Sequence, residues 1–462
     1  MFWGRGGWAV AACIAAAAVT WSGPSFAASL RSALATAYEN NPDLNAARAQ
    51  MRAINEGVPQ ARANGRPSIT LDGDFGYTTT RTPGNIFDPG SDWSTATNPR
   101  GATLSVEQPI FLGFRTKNAV RVAEMSVKAA REQLKVVEQN ILLDTVRAFM
   151  GVIRAQVVVN LTAQNVEFLR EQVKAAEDRL SVGEGTRTDV AQTNARLSEG
   201  MSDYAQAVAD LNQAIAVYVQ IVGIRPDRLG DVNGIDKHLP RTLEAGLEVA
   251  LTTHPSIISS LYNIDVASWN VRVREGALLP SVTLSGSVSH RDASGDTAWR
   301  DTASVTGRLV MPLYQGGSIA AEVRELKETL GQRRIELDVT RAEVRQILIS
   351  SWGTLDAARA QVRAAAAQVA AEQLVLSGVI EERRVGQRTT LDVLNAQQDL
   401  LDARVAQVRA QHDRVVAAYS LLAAVGRLNA SVLGLPVEIY DPTDHYYQVK
   451  DKWLGLRTPD GR

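Results

Sequence analysis

The chain repeats itself, and each repeat holds both strands and very long helices. Asn41-Pro42 recurs as His254-Pro255, and Pro67-Ser68 recurs as Pro280-Ser281 at the same offset. Further on the offset shortens and then holds. Gln108-Pro109-Ile110-Phe111 corresponds to Met311-Pro312-Leu313-Tyr314, Val182-Gly183 to Val385-Gly386, Asp189-Val190 to Asp392-Val393, and Val222-Gly223 to Val425-Gly426. The change falls between the two strands of each half. The connecting loop, Pro83 to Pro99 in the first half, is therefore the longer one, a difference loops tolerate. Residues 28–230 read as the first structural repeat, 231–240 as a linker, 241–435 as the second repeat and 436–462 as a polar tail, expected to be loosely held.

Each half reads helix, strand, strand, very long helix, tight turn, helix. The segment from Ser29 to Asn64 is helical with a break before Pro42. Strands are expected near 68–81 and 101–110, and again near 281–292 and 302–313. Between Gly113 and Val182 no proline interrupts the pattern, and at 1.5 Å per residue such a helix is about 100 Å long. Gly183 and Gly185 mark a turn, and Thr188 to Val222 returns as helix.

The strands alternate. Ile69, Leu71, Gly73, Phe75 and Tyr77 take one face, while Ser68, Thr70, Asp72 and Asp74 take the other. In the second half Val282, Leu284, Gly286 and Val288 oppose Ser281, Thr283, Ser285, Ser287 and Ser289. A small polar face and an apolar one fit a membrane barrel around water; a soluble two-layer sheet with one wet face shows the same period. On the barrel reading Leu71, Phe75, Leu284 and Val288 face lipid, and Thr70, Asp72, Ser285 and Ser287 face water.

The helices carry seven-residue seams. Met201, Tyr204, Val208, Leu211, Ile215, Tyr218 and Val222 step by three and four, as do Leu401, Val405, Val408, His412, Val415, Tyr419 and Leu422. Such seams pack helix on helix, either in a filled bundle or in a curved sheet of helices, where every helix needs two contact faces.

The N-terminus reads as a secretory signal over residues 1–27: Arg5, an apolar stretch from Ala9 to Thr20, and small residues around Ser25-Phe26-Ala27. The only cysteine, Cys13, lies inside it, so the mature chain has no disulfide or thiol metal site. After the signal no run of about 18 apolar residues remains, and any membrane span must be made of strands. Lys plus Arg is 49 and Asp plus Glu 50, so nothing points to nucleic acid. The five histidines form no spaced metal pair, and no phosphate-binding loop is present. We expect no catalytic residue, metal or cofactor.

Four strands cannot close a barrel, and open edges in lipid are prohibitive. The missing strands must come from other copies. Two copies supply eight and three supply twelve; physics alone does not choose.

The chain up to about Leu435 resembles the TolC family of outer-membrane efflux proteins. The resemblance is carried by Asn40-Asn41-Pro42, by Gln108-Pro109-Ile110-Phe111 and Met311-Pro312-Leu313-Tyr314-Gln315-Gly316-Gly317, and by the two turns from Val182 to Val190 and from Val385 to Leu394. It implies a mixed α and β membrane protein: a homotrimer with a twelve-stranded outer-membrane β-barrel, four strands per chain, continued by a long α-helical coiled-coil barrel in the periplasm of a Gram-negative bacterium. The implied partners are outer-membrane lipid, a periplasmic adaptor and an inner-membrane transporter of the RND or ABC type. The implied function is a passive exit duct for efflux or type I secretion. The alternative is a periplasmic adaptor of such a system, but adaptors have one hairpin flanked by compact β-domains, and this chain has two hairpins. A secreted structural coiled coil would not need the alternating strands.

Within the resemblance, Asp189 and Asp392 correspond to carboxylates around the constricted periplasmic entrance, and Arg388 to the arginine that ties neighbouring coils. Asn395 stands where a second aspartate can stand, and Arg383 where a tyrosine partner can. The entrance is then less negative, and its ties use other partners. A plain helix-start role for Asp189 and Asp392 and a solvated turn arginine at 388 are the competing explanations.

Overall fold

The computed structural model describes residues 29–82, 93–227, 229–230, 235–293 and 298–461. The expected signal at 1–27, with Cys13, and part of the expected linker lie outside them.

Three short helices open the chain: α1 (Leu30–Asn40), α2 (Pro42–Asn55) and α3 (Gly57–Ala63). The Asn41-Pro42 pair makes the break. Asn41 Oδ1 accepts from the amides of Asp43 (3.0 Å) and Leu44 (3.1 Å), and Pro42 occupies the first helical position, where no N–H is needed. Strands β1 (Ser68–Phe75), β2 (Thr78–Thr82), β3 (Trp93–Thr97) and β4 (Arg100–Leu112) follow, then α4 (Arg115–Ser181) and α5 (Arg187–Val222). The second half repeats this order with α6 (Leu243–Thr253), α7 (Pro255–Glu275), β5 (Ser281–Ala293), β6 (Ala298–Val310), α8 (Ser318–Arg384) and α9 (Thr390–Ala424). His254 does for α7 what Asn41 does for α2: its Nδ1 accepts from Ser256 N at 3.2 Å, ahead of Pro255. The last helix is α10 (Asp444–Val449).

The main sheet runs β1-β4-β5-β6, all antiparallel, and β2 pairs with β3 in a separate ribbon. Three expectations are corrected here. The stretch 68–81 is not one strand: the ladder breaks at Pro99, which has no N–H to give, and Gly76 N donates to Pro99 O instead (2.8 Å). The loop expected over 83–99 contains β3. The strand expected over 302–313 starts earlier, at Ala298, and stops at Val310, ahead of Pro312.

α4 and α8 are each 67 residues, about 100 Å at the helical rise. α4 packs on α5 and on α9, and α9 on α8, which leaves α5 and α8 as the edge helices of the lower wall. Nearer the sheet α7 lies between α4 and α8. The core sits at mid-height, where α1, α2 and α6 cover the long helices. Leu34, Leu142, Phe149, Tyr218, Leu348 and Leu422 are buried there, and Phe149 and Tyr218 meet at 6.5 Å between ring centroids. The α5 seam is buried at this level (Tyr218, Val222), but Met201 and Tyr204, nearer the turn, are exposed.

The tail is not loose. Val449 is fully buried, Tyr440 N donates to Tyr38 Oη (3.1 Å), and the Arg48 guanidinium lies over both tyrosine rings, at 4.4 and 5.3 Å. The tail's polar composition conceals spaced aromatic residues that dock one by one, in the cation–π geometry that suits Arg.

Candidate functional site: the helical turns and the exposed sheet

Both long helices end alike. Gly183 and Gly386 adopt left-handed φ of 79° and 80°. Past them, Glu184 N donates to Arg179 O (2.9 Å) and Gln387 N to Glu382 O (3.0 Å), closing each helix over its last carbonyls. The returning helices begin with matching capping boxes. Thr186 N and Oγ1 donate to Asp189 Oδ2 at 3.1 and 2.8 Å, while Asp189 N donates back to Thr186 Oγ1 at 3.1 Å. Thr389 and Asp392 repeat this at 2.8, 2.8 and 3.2 Å. The helix-start explanation of both aspartates is thus realised in full. It uses only Oδ2 of each half-buried aspartate. The Thr389 backbone and hydroxyl donors, helped by Arg388, hold the Asp392 carboxyl below its usual range, so it stays ionised.

Arg388 donates to Glu382 Oε2 at 2.9 Å, within its own turn. Asn395 and Arg383 take part in a different set of contacts. Arg383 Nη1 donates to Gln172 Oε1 on α4 (3.1 Å). Arg196 Nη2 on α5 donates to Asn395 Oδ1 on α9 (3.0 Å). Farther from the turns, Gln397 Nε2 donates to Asn165 Oδ1, a buried side chain of α4 (3.1 Å). Three amide or guanidinium bonds thus tie the α4/α5 hairpin to the α8/α9 hairpin above the turns. Burial, with Arg179 and Arg384 close by, lowers the Arg383 pKa. Gln172, Arg196 and Gln397 were not identified from sequence. They occupy unlike positions in the two halves, so the repeat gives no signal for them.

In the sheet, residues opposite one another share a face. Leu71, Leu104, Val288 and Ala303 form one cross-strand row, and Ile69, Val106, Gly286 and Val305 another. The intervening rows are polar: Thr70, Ser105, Ser287 and Ser304, then Asp72, Thr103, Ser289 and Thr302. The apolar face is bare: Leu71 is 74 % exposed and Phe75 94 %, and Leu284 and Val288 are exposed too. Among the described residues nothing covers it, and β1 and β6 are the edges of the sheet.

A family described as "Outer membrane efflux protein" matches residues 33–223 and again 246–427, one match per repeat. The chain is 45 % identical to the outer membrane efflux protein BepC of Brucella suis, over 97 % of this chain and 98 % of that protein. It is 24 % identical to the alkaline protease secretion protein AprF of Pseudomonas aeruginosa, covering 89 % of this chain and 87 % of the relative. Among solved structures, the CmeC outer membrane channel of Campylobacter jejuni superposes with a TM-score of 0.75 at 17 % identity, over 91 % of this chain and 89 % of that one.

Proposed function

Because the chain belongs to the outer membrane efflux protein family, we propose that it works as a homotrimeric duct, which receives cargo from an inner-membrane transporter through a periplasmic adaptor. It resides in the outer membrane and extends into the periplasm, serving efflux or type I secretion; its relatives are named for efflux and for protease secretion. The observation that carries the reading is the sheet: one apolar face, one polar face, two open edges, set on helices of 67 residues.

The edges support closure by neighbouring copies. Strand directions alternate from β1 to β6, so β6 of one copy meets β1 of the next in the antiparallel sense. Strands of 13 residues in β4, β5 and β6 exceed the roughly 9–11 that cross a bilayer at a tilt. The edge helices agree: Met201 and Tyr204 on α5, and Ile335, Val339 and Leu374 on α8, are apolar and exposed. Joining α5 to α8 between copies would cover both faces. Three copies give a twelve-stranded barrel. Transport itself requires no catalysis; the energy enters at the transporter.

At the entrance, three-fold symmetry turns Asp392 and Asp189 into rings of like charge that attract cations. Arg388 and the three inter-hairpin bonds hold the mouth narrow. Detergent-corrected mass and planar-bilayer conductance of the purified protein test the reading together. A dimer that conducts fully, or a trimer that never conducts, contradicts it.

A further inference from the structure

We propose that the C-terminal segment Trp453–Leu456 is a membrane anchor that seats in the phospholipid leaflet on the periplasmic side of the outer membrane. The proposal rests on the outer-membrane reading above. It concerns a part of the chain that the duct does not use.

Three exposed apolar side chains stand together beyond the buried Val449, in a tail that also exposes Ile439 and Tyr447. Trp453 is 66 % exposed, Leu454 89 %, and Leu456 is completely so. They are held rather than trailing. Arg62 pairs with Asp451, Arg66 Nη1 donates to Lys452 O at 2.7 Å, and the Arg66 guanidinium lies 4.5 Å from the Trp453 ring centroid. Lys452 Nζ donates to Arg457 O, and Gly455, at φ 108°, makes the bend between the two leucines. A free apolar end would cost nothing to leave disordered. Holding it exposed, by an ion pair and a cation–π contact, calls for a surface to receive it.

Its place in the fold says which surface. Only Pro67 separates Arg66 from Ser68, the first residue of β1. Gly65 O accepts from Gln108 Nε2 of β4 at 3.1 Å, so this point lies at the foot of the sheet. The bare apolar face begins at once with Ile69 and Leu71. The other strand–helix junctions expose Phe114, Leu279, Leu313 and Tyr314. The tail residues thus continue the lipid-facing band past its lower rim.

The charges complement a phospholipid headgroup layer. Lys450, Lys452 and Arg457 flank the apolar group in sequence and Arg66 lies against it, while Asp451 pairs with Arg62 and Asp460 follows four residues after Leu456. Aromatic and leucine side chains ringed by basic ones are the composition of an interfacial anchor, in which the apolar atoms enter the acyl boundary and the cations meet phosphate. The tail also grips α2 and α3 through His445 and Arg62. Anchoring it would therefore brace the mid-height core against the membrane.

The test uses the full trimer in liposomes of phosphatidylcholine and phosphatidylglycerol, without and with bromine on the acyl chains. Cysteine is introduced in a Cys13→Ser background and labelled with an environment-sensitive fluorophore. Leu454→Cys carries the question, Leu71→Cys marks the lipid face, and Ser377→Cys, exposed near the end of α8, marks water. The expected result is that the Leu454→Cys label loses most of its emission in brominated lipid, as the Leu71→Cys label does, and resists iodide. Adding Leu456→Glu should restore much of that emission. A label open to iodide and blind to bromine overturns the proposal, as does one shielded from both, which would mean that protein covers the segment. If the Leu71→Cys label is also unquenched, the sheet itself is not in lipid, and the proposal falls with that reading.

Discussion

The backbones of Gly113 and Gly276 cross so closely that a methyl group on either would run into the carbonyl oxygen of the other. Gly113, at φ 62°, turns β4 into α4; Gly276 ends α7 just ahead of β5. The crossing locks the exit of the first repeat's strands to the entry of the second repeat's strands. By the internal repeat, Gly316 stands where Gly113 does, yet among the described residues nothing lies within 4 Å of where its Cβ would be. The foot of β1 in a neighbouring copy would fill that space.

Gly276→Ala is expected to destabilise the fold by at least about 1–3 kcal/mol, the usual cost of overpacking where no side chain can yield. Thermal unfolding of the purified protein reads this. An unchanged melting temperature would show that the crossing can open without loss.

The two faces of β5 should respond differently to charge. Val288→Arg places a cation in the row of Leu104 and Ala303 and should cost roughly 2–4 kcal/mol near mid-membrane. Ser287→Arg, one residue away among serines, should assemble nearly as well as the parent. Leu284→Arg and Ser285→Arg make a second pair. The yield of heat-resistant trimer in outer-membrane fractions compares them, and equal yields would mean that the faces are assigned the wrong way round.

A multivalent cation added on the periplasmic side should block current through the trimer. Asp189→Ala/Asp392→Ala should relieve the block, because it removes both rings. The same variant also loses its capping boxes, so Thr186→Ala/Thr389→Ala serves as the control: each cap lost costs about 1 kcal/mol, but the charge remains. Block that survives in the aspartate variant places the constriction elsewhere.

Arg388→Ser should raise single-channel conductance without abolishing cation block, since it removes the partner of Glu382 and leaves the carboxylates. Arg196→Ala and Arg383→Ala should each do the same by releasing one inter-hairpin bond, and their combination more strongly. Conductance identical to the parent in the double variant would show that these bonds stabilise the hairpins without governing the opening.

Glu138 carries a pH dependence of unusual sign. Its carboxylate accepts from Ala430 N at 2.8 Å. Burial pushes its pKa above the ordinary 4.5, and the Ala430 bond and the charges of Arg48 and Lys135 offset this only in part. Between the ordinary value and the raised one, the folded state holds a proton that the unfolded chain has lost. Stability from this group is fully present below the ordinary value and declines as pH rises through the raised one. Melting temperatures of the parent and Glu138→Gln, compared from about pH 4 to about pH 8, should diverge in favour of the variant as pH rises. A constant difference would remove the carboxyl from the account.

Much of this protein was legible in the residue order because its rules are local. A carboxylate in a first turn favours a helix start, so that role for Asp189 and Asp392 was readable at both turns, while Thr186 and Thr389, which complete the capping boxes, came from the structure. An alternating strand declares its two faces by itself, and 67 residues without a proline declare a long helix. The duplication then showed that each feature occurs twice.

What the sequence by itself determined is therefore the periodic part: the two hairpins, the strand faces and the helix ends, all set by contacts within a few residues. Only the tertiary structure decided which unlike residues meet: Arg383 with Gln172, Arg196 with Asn395, Gly113 with Gly276, and the tail with α2 and α3. Those partners lie far apart in the chain, and their meeting depends on how one helix lies against another. No pattern of near neighbours encodes that geometry.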